Sequence, residues 1–280
     1  MVKDVAISLY VFFYTLFCGC GADWRASGFE KLKPSYKIRK TGKLPPQIPE
    51  SSGLALASDN QTLWILNDGG NSNHLFRINV KGEILEQVQI TGARNIDWED
   101  LTKDDKGNLY IGDFGNNANN RKNLTIYKVR EADMALLGEI KFHYPDQTSF
   151  PPPQNEMNFD CEAMIWQNDS LWLFSKDWSG NRISKQYKLP DQAGTYAAEL
   201  IDSLKIKTWI TGAASVTNNS VSALLGYGKI YLFRGMPFIN SRFCIPFRRS
   251  SQAEAIVFFN NSDFIITNEQ GKLFIGTPKK

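Results

Sequence analysis

The feature that most restricts what this chain can fold into is internal repetition. Five segments share one grammar: a small or acidic residue with an apolar residue two places on, a turn, an apolar run ending in polar residues, then a further apolar run. The first carries Ser51-Ser52-Gly53-Leu54, followed by Leu63 to Asp68 and Leu75 to Ile78. The second carries Trp98-Glu99-Asp100-Leu101, then Leu109 to Asp113 and Leu124 to Tyr127. The third carries Cys161-Glu162-Ala163-Met164, then Leu171 to Lys176 and Lys185 to Leu189. The fourth is less regular, with Thr211-Gly212-Ala213-Ala214, then Val221 to Tyr227 and Ile230 to Phe233. The fifth carries Glu254-Ala255-Ile256, then Phe264 to Glu269 and Leu273 to Ile275. The runs are short, rich in β-branched and aromatic side chains, and bounded by Gly, Asn, Asp and Pro, which is the signature of strands.

One small sheet cannot bury both of its faces until neighbours stack around a ring, so repeats of this kind predict an all-β chain folded as a five-bladed β-propeller. A fourth, outer strand is expected at residues 83–90, 138–144, 199–208 and 241–247. The fifth blade has no such segment after it, and residues 36–43, extended and free of Pro, are expected to supply it and close the ring. Six blades are the alternative, with the Pro-rich stretch 145–158 as the place where another would hide.

Propeller geometry brings the start of each innermost strand and the end of the next strand to one face. Ser52, Glu99, Glu162, Thr211 and Glu254 begin the innermost strands; Asp68, Asp113, Lys176, Tyr227 and Glu269 end the second ones. Three glutamates forced toward one axis repel each other and are costly to bury unpaired. A hard divalent cation removes that cost, and calcium, with six to eight oxygen ligands at about 2.3–2.6 Å, suits a ring of strand ends better than magnesium's tight octahedron. Ser52, Glu99, Glu162, Thr211 and Glu254 are therefore the expected calcium ligands. The competing reading is that each glutamate pairs with a local Lys or Arg, or caps hydrogen bonds between blades.

A Gly/Asn-rich loop runs from Asp113 through Asn116 and Asn117 to Arg121. Such a loop can present backbone N–H groups and a guanidinium to an anion, with Arg94, Lys176 and Arg182 as further partners; its plain reading is a polar turn. Asp68, Asn116, Asn117, Arg121 and Trp98 are the expected contacts to a small polar or anionic ligand. Of the tryptophans, Trp98 and Trp178 are candidates for stacking on a ligand, while Trp64, Trp166 and Trp172 are read as packing between sheets.

Residues 1–20 read as an export signal: Lys3, an apolar run from Val5 to Phe17, then Gly19 before Cys20. A cysteine in that place resembles the lipid-modified cysteine of bacterial lipoproteins; an ordinary cleaved signal and an uncleaved anchor are the alternatives. Residues 21–34 then read as a tether and 35–280 as a single propeller domain, exported and held at the cell envelope by lipid on Cys20. Cys161 and Cys244 are read as small buried hydrophobes rather than a bridge. His74 and His143 are the only histidines, which argues against zinc chemistry and a Ser-His-Asp triad. The net charge of +3 is small and scattered, which argues against nucleic acid as a partner. A closed ring has no sheet edge to share, so a monomer is expected.

At Trp98-Glu99-Asp100-Leu101, Gly112 to Asn117, Phe159 to Met164 and Ile266 to Glu269 the chain resembles uncharacterised bacterial propeller lipoproteins, over most of residues 45–277. That resemblance implies an exported propeller and no particular activity. More distantly, the order Ser52, Glu99, Glu162, an irregular fourth and Glu254 is similar to the soluble calcium-activated nucleotidases (apyrases). Those are five-bladed enzymes with a central calcium that hydrolyse nucleoside di- and triphosphates. Thr211-Gly212-Ala213 departs from that pattern, and no counterpart of the nucleotide-contacting loops is visible. Three functions are consistent with the residues. One is a binding module presenting a cation-centred pocket to a ligand or an envelope protein. The second is a calcium-dependent hydrolase of phosphate esters, with Glu269, Asp113 or Glu162 activating water and Lys176 and Arg121 neutralising charge. The third is a lactonase or esterase.

Overall fold

The computed structural model describes residues 2–32, 35–216, 220–234, 242–248 and 250–279. Pro34, the expected end of the tether, and Ser241, the expected start of the fourth outer strand, lie outside the described residues. Five small sheets form a five-bladed β-propeller. Blade one is Ser51–Leu56, Leu63–Asn67, His74–Ile78 and Ile84–Gln89. Blade two is Trp98–Lys103, Asn108–Asp113, Leu124–Arg130 and Ala135–His143. Blade three is Asp160–Trp166, Ser170–Lys176, Ile183–Pro190 and Glu199–Lys205. Blade four is Ile210–Ser215, Val221–Gly226, Lys229–Arg234 and Arg242–Pro246. Blade five is Ala253–Phe258, Phe264–Asn268 and Lys272–Pro278, completed by Tyr36–Lys43 from the other end of the chain. That closing strand pairs antiparallel from Tyr36↔Pro278 to Lys43↔Lys272. Residues 145–158, the room for a sixth blade, hold the short turn Gln154–Glu156 and no described strand.

Each interior strand is apolar on both faces because both faces meet another blade. In blade one, Trp64 and Leu66 enter the cluster shared with blade two, whereas Leu63 and Ile65 enter the cluster shared with blade five. Successive side chains of a strand point to opposite faces, so the alternation deals them to two different cores. The same division gives an apolar cluster between blades two and three, three and four, and four and five. Each large side chain buried this way contributes about 1.5–3 kcal/mol, and all five interfaces draw on it. One departure from the expected pattern joins two blades: Gly194–Ala197, from the loop after the third strand of blade three, pairs parallel with the outer strand of blade two.

Residues 21–32 are not a free tether. Asp23, wholly buried, receives Lys229 Nζ at 2.7 Å and the Tyr231 hydroxyl at 3.0 Å. Phe29 is buried against Tyr231 and Phe233. Glu30 N–H donates to Arg242 O at 2.7 Å, and Cys244 N–H donates to Glu30 O at 3.1 Å. The physical reason is the open edge of blade four: Arg242–Pro246 has unpaired backbone groups, and the N-terminal segment covers them. Cys20 is bonded to Cys244, so Cys244 is half of a bridge and not the isolated buried thiol its sequence context suggests; Cys161 is free and buried, as expected. A sulfur in that bridge cannot also carry a thioether-linked lipid, so the two fates of Cys20 exclude each other.

Candidate functional site

All five innermost strands carry a register shift at the same place. In blade one Ser51 pairs with Asn67 and Gly53 with Leu66, which leaves Ser52 as the extra residue. The corresponding extra residues are Glu99, Glu162, Thr211 and Glu254. These are the five residues expected to start the inner strands. A β-bulge re-aims the side chain of its extra residue, and here all five line one cavity of about 260 Å³ at that end of the channel.

The five do not act alike. Ser52 Oγ donates to Trp98 O at 3.0 Å, and Thr211 Oγ1 donates to Ala253 O at 2.6 Å. Trp98 and Ala253 are the residues just before Glu99 and Glu254, so each hydroxyl ties its strand to the next blade. The donated protons satisfy carbonyls that burial leaves without water, and each hydroxyl oxygen keeps its lone pairs, so these bonds fix the two side chains without deciding their expected role as calcium ligands. Glu162 Oε1 accepts from Lys176 Nζ at 2.8 Å, and Glu254 Oε1 accepts from the Tyr227 hydroxyl at 2.8 Å. Lys176 thus occupies the middle of the pocket as an internal cation. Burial alone would lower its pKa, but Glu162, Tyr227, Glu254 and Asp160 outweigh burial and hold it charged.

Glu99 is the exception. It is 6 % exposed, and among the described residues nothing donates a hydrogen bond to its carboxyl. Burial raises its pKa, and Glu162, Asp68, Asp97 and Asp160 raise it further, with no cation among the principal influences. Asp68, Asp97 and Glu99 bring one carboxylate oxygen each to within 4.8 Å of one another. Burial pushes Asp68 up to about 7 and, with Asp160 adding to it, Asp97 up to about 6. Burial likewise pushes Glu254 up to about 8. Arg121 stands 4.0 Å from Asp97 and only partly offsets the crowding. Two glycines make room for it: a Cβ on Gly69 would strike Asp97, and a Cβ on Gly115 would strike both Glu99 and Asp97. The Gly-Asn loop between the second and third strands of blade two is thus explained by close approach of backbone to carboxylate.

Asp113, expected at the rim as a base, does not line the pocket. Its Oδ1 accepts the Asp97 N–H at 2.9 Å and Arg121 Nη2 at 3.1 Å. The register gives the reason. Asp113 pairs with Trp98 as Asn67 pairs with Ser51, so the rim positions equivalent to Asp68 and Glu269 are Phe114 in blade two, Lys176 in blade three and Tyr227 in blade four. A shift of one residue sends a side chain to the other face. Asn116 is likewise structural: its Oδ1 accepts from Asn120 and Arg121 N–H, and its Nδ2 donates to Phe159 O. Arg121, bound to Asp113 and to Gly115 O at 2.7 Å, is not poised for an anion. Trp98 is fully buried, with Nε1 donating to Arg94 O, so it packs rather than stacks on a ligand. Arg94 and Arg182 are exposed and do not line the pocket.

Asn117, Glu269, Asp68, Lys176 and Trp178 do line it. Glu269 Oε1 accepts from Gln252 Nε2 at the exposed rim. Sequence reasoning missed Asp97, which precedes the bulged strand of blade two, and Trp209, whose ring lies 4.9 Å from that of Trp178 and forms an aromatic wall with it. Position could have found Asp97, since the residue before each inner strand faces the same channel end. Trp209 holds the same position, directly before Ile210–Ser215, so the same rule reaches it although its repeat is the least regular. The cavity is therefore acid-rich, with one buried ammonium and one aromatic wall. Neither a family model nor a curated protein matches the chain.

Proposed function

We propose that this is an exported, envelope-held propeller that binds a divalent cation, calcium in preference to magnesium, and through it a small polar ligand. The observation that carries the reading is Glu99, a buried carboxyl that accepts no hydrogen bond among the described residues and faces Asp68 and Asp97. Asp68, Asp97 and Glu99 would hold the cation; Gly69 and Gly115 leave the space such a group needs. Oxygen-only donors of this kind suit a hard cation rather than zinc or copper. A bound cation supplies Lewis acidity toward a ligand oxygen. Lys176 donates to Glu162 and partly offsets the rise that burial gives that carboxyl, without being drawn into a pair with Glu99, and Trp178 with Trp209 offers an apolar face to a ring or an aliphatic stretch of the ligand.

Hydrolysis of phosphate esters or anhydrides, as in the apyrase resemblance, is the second reading. It is favoured by Glu269 and Lys176 lining the same cavity as the carboxylate cluster, where one could activate water and the other face developing charge. Against it, Lys176 is engaged by Glu162 and Arg121 by Asp113, so few cationic donors remain for a phosphoryl group. Calorimetric titration with calcium and with magnesium tests the binding reading. Calcium heat that vanishes in Glu99→Gln supports it; unchanged binding in that variant ends it. Incubation of the calcium-loaded protein with nucleotides, phosphate esters and lactones decides between binding and turnover.

A further inference from the structure

The helix Val2–Phe17 lies beside the mouth of the cavity. The Tyr14 hydroxyl donates to Lys207 O at 2.7 Å, Cys18 Sγ contacts Tyr227 O at 3.8 Å, and the Tyr10 ring is 6.4 Å from that of Trp209. Tyr227 and Trp209 both line the cavity. Val11, Thr15 and Cys18 are buried against the propeller, whereas Leu9, Phe12, Phe13 and Phe17 are 46–83 % exposed. This is the largest concentration of exposed apolar side chains among the described residues, and it sits on one side of one helix. Two exposed cations, Arg25 and Arg248, flank its C-terminal end, with Arg248 Nε donating to Cys18 O at 3.2 Å.

We infer that this helix seats in the surface of a lipid bilayer and that the cavity mouth is consequently turned toward the membrane. Three properties select a bilayer as the occupant. Among the described residues no helix is long and apolar enough to cross a membrane, so the apolar side can only lie along the surface. Arg25 and Arg248 are placed to meet anionic headgroups at the edge of that apolar side. The segment after the helix has no slack: Cys20 is bonded to Cys244 and Asp23 is locked to Lys229, so the helix cannot swing away from blade four. A flexible tether would leave the propeller free to tumble, but this connection fixes which end of the channel faces the lipid. The opposite channel mouth, a cavity of about 430 Å³ that includes Asn260, faces away. A ligand of the pocket would then be one presented at the membrane surface. This inference stands on the helix contacts and does not depend on whether the pocket holds a cation.

The test uses the full chain with residues 1–20 in place and vesicles of phosphatidylethanolamine and phosphatidylglycerol. The chain is expected to float with the vesicles, and Phe17→Asp to lower the floated fraction on the order of tenfold. Phe13→Asp serves as the second variant if the first does not fold; retention of the Cys20–Cys244 bridge reports folding. Orientation is read with an environment-sensitive fluorophore on a single cysteine at Asn117 or at Asn260. Cys18 and Cys161 are buried, so labelling goes to the introduced residue. A blue shift on vesicle binding at position 117 and none at 260 is expected. No flotation, flotation indifferent to both substitutions, a shift at 260 instead of 117, or a stable dimer that hides the helix would each overturn the inference. So would a membrane-fraction chain that begins at Cys20 and carries an acyl group there, since its helix would be gone.

Discussion

Lys176 places its ammonium 2.8 Å from Glu162, with 10 % and 4 % of the two side chains exposed. The pair exists because blade three puts a lysine at the rim position where blades one and five have Asp68 and Glu269 and blade four has Tyr227. One lysine within a repeated frame thus gives the acid-rich pocket an internal cation on the Glu162 side, and leaves the carboxyls without a cationic partner on the Asp68, Asp97 and Glu99 side.

Removing that cation should be costly. Lys176→Met leaves Glu162 buried without its partner, and breaking a buried pair from one side is worth about 3–5 kcal/mol. The double variant Lys176→Met with Glu162→Gln should recover much of the loss. Denaturant unfolding of the three proteins measures it; a double variant no more stable than the single would mean that the pair does not act as a unit.

The apo protein should lose stability as pH rises. Asp68, near 7, and Glu254, near 8, are both raised in the folded state above their unfolded values. A carboxyl with a raised folded pKa contributes stability that is complete below its unfolded pKa and lost as pH climbs through its folded one, because the native state holds the extra proton. Between about pH 5 and 8.5 this loss should bring the melting midpoint down by several degrees or more. Thermal melts in a chelator are the measurement, and Asp68→Asn should flatten the slope. Calcium should raise the midpoint most at the alkaline end, where its ligands are ionised.

Ser52→Ala and Thr211→Val separate structure from binding. Each leaves a buried carbonyl, of Trp98 or Ala253, without its donor, at about 1–3 kcal/mol. Neither should alter calcium affinity in calorimetry. A large loss of affinity in either would place the hydroxyls in the ligand set beside the three carboxylates.

Gly115→Ala probes the close approach. Its Cβ would meet the carboxylates of Glu99 and Asp97, so the cluster must open or the loop must move. The calcium-dependent rise in melting temperature should disappear while the calcium-free midpoint falls.

The blade count, the closing strand and the five bulged positions were legible in the chain itself, because each depends on a local pattern repeated in register. Alternation of apolar residues dictates strands that must be covered on both faces, and only a ring of five covers them with the segments available. Which of the gathered side chains remain unpartnered was not legible. Ser52 and Thr211 find carbonyls on a neighbouring blade, Asp113 falls one residue short of the rim, Asp97 enters from a loop, and Cys20 meets Cys244 across 224 positions of sequence. Those outcomes depend on distances between segments remote in the chain, and a hydrogen bond or an ion pair is decided within an ångström. Repetition specifies where side chains converge; only the packed ring determines which of them are left to hold something else.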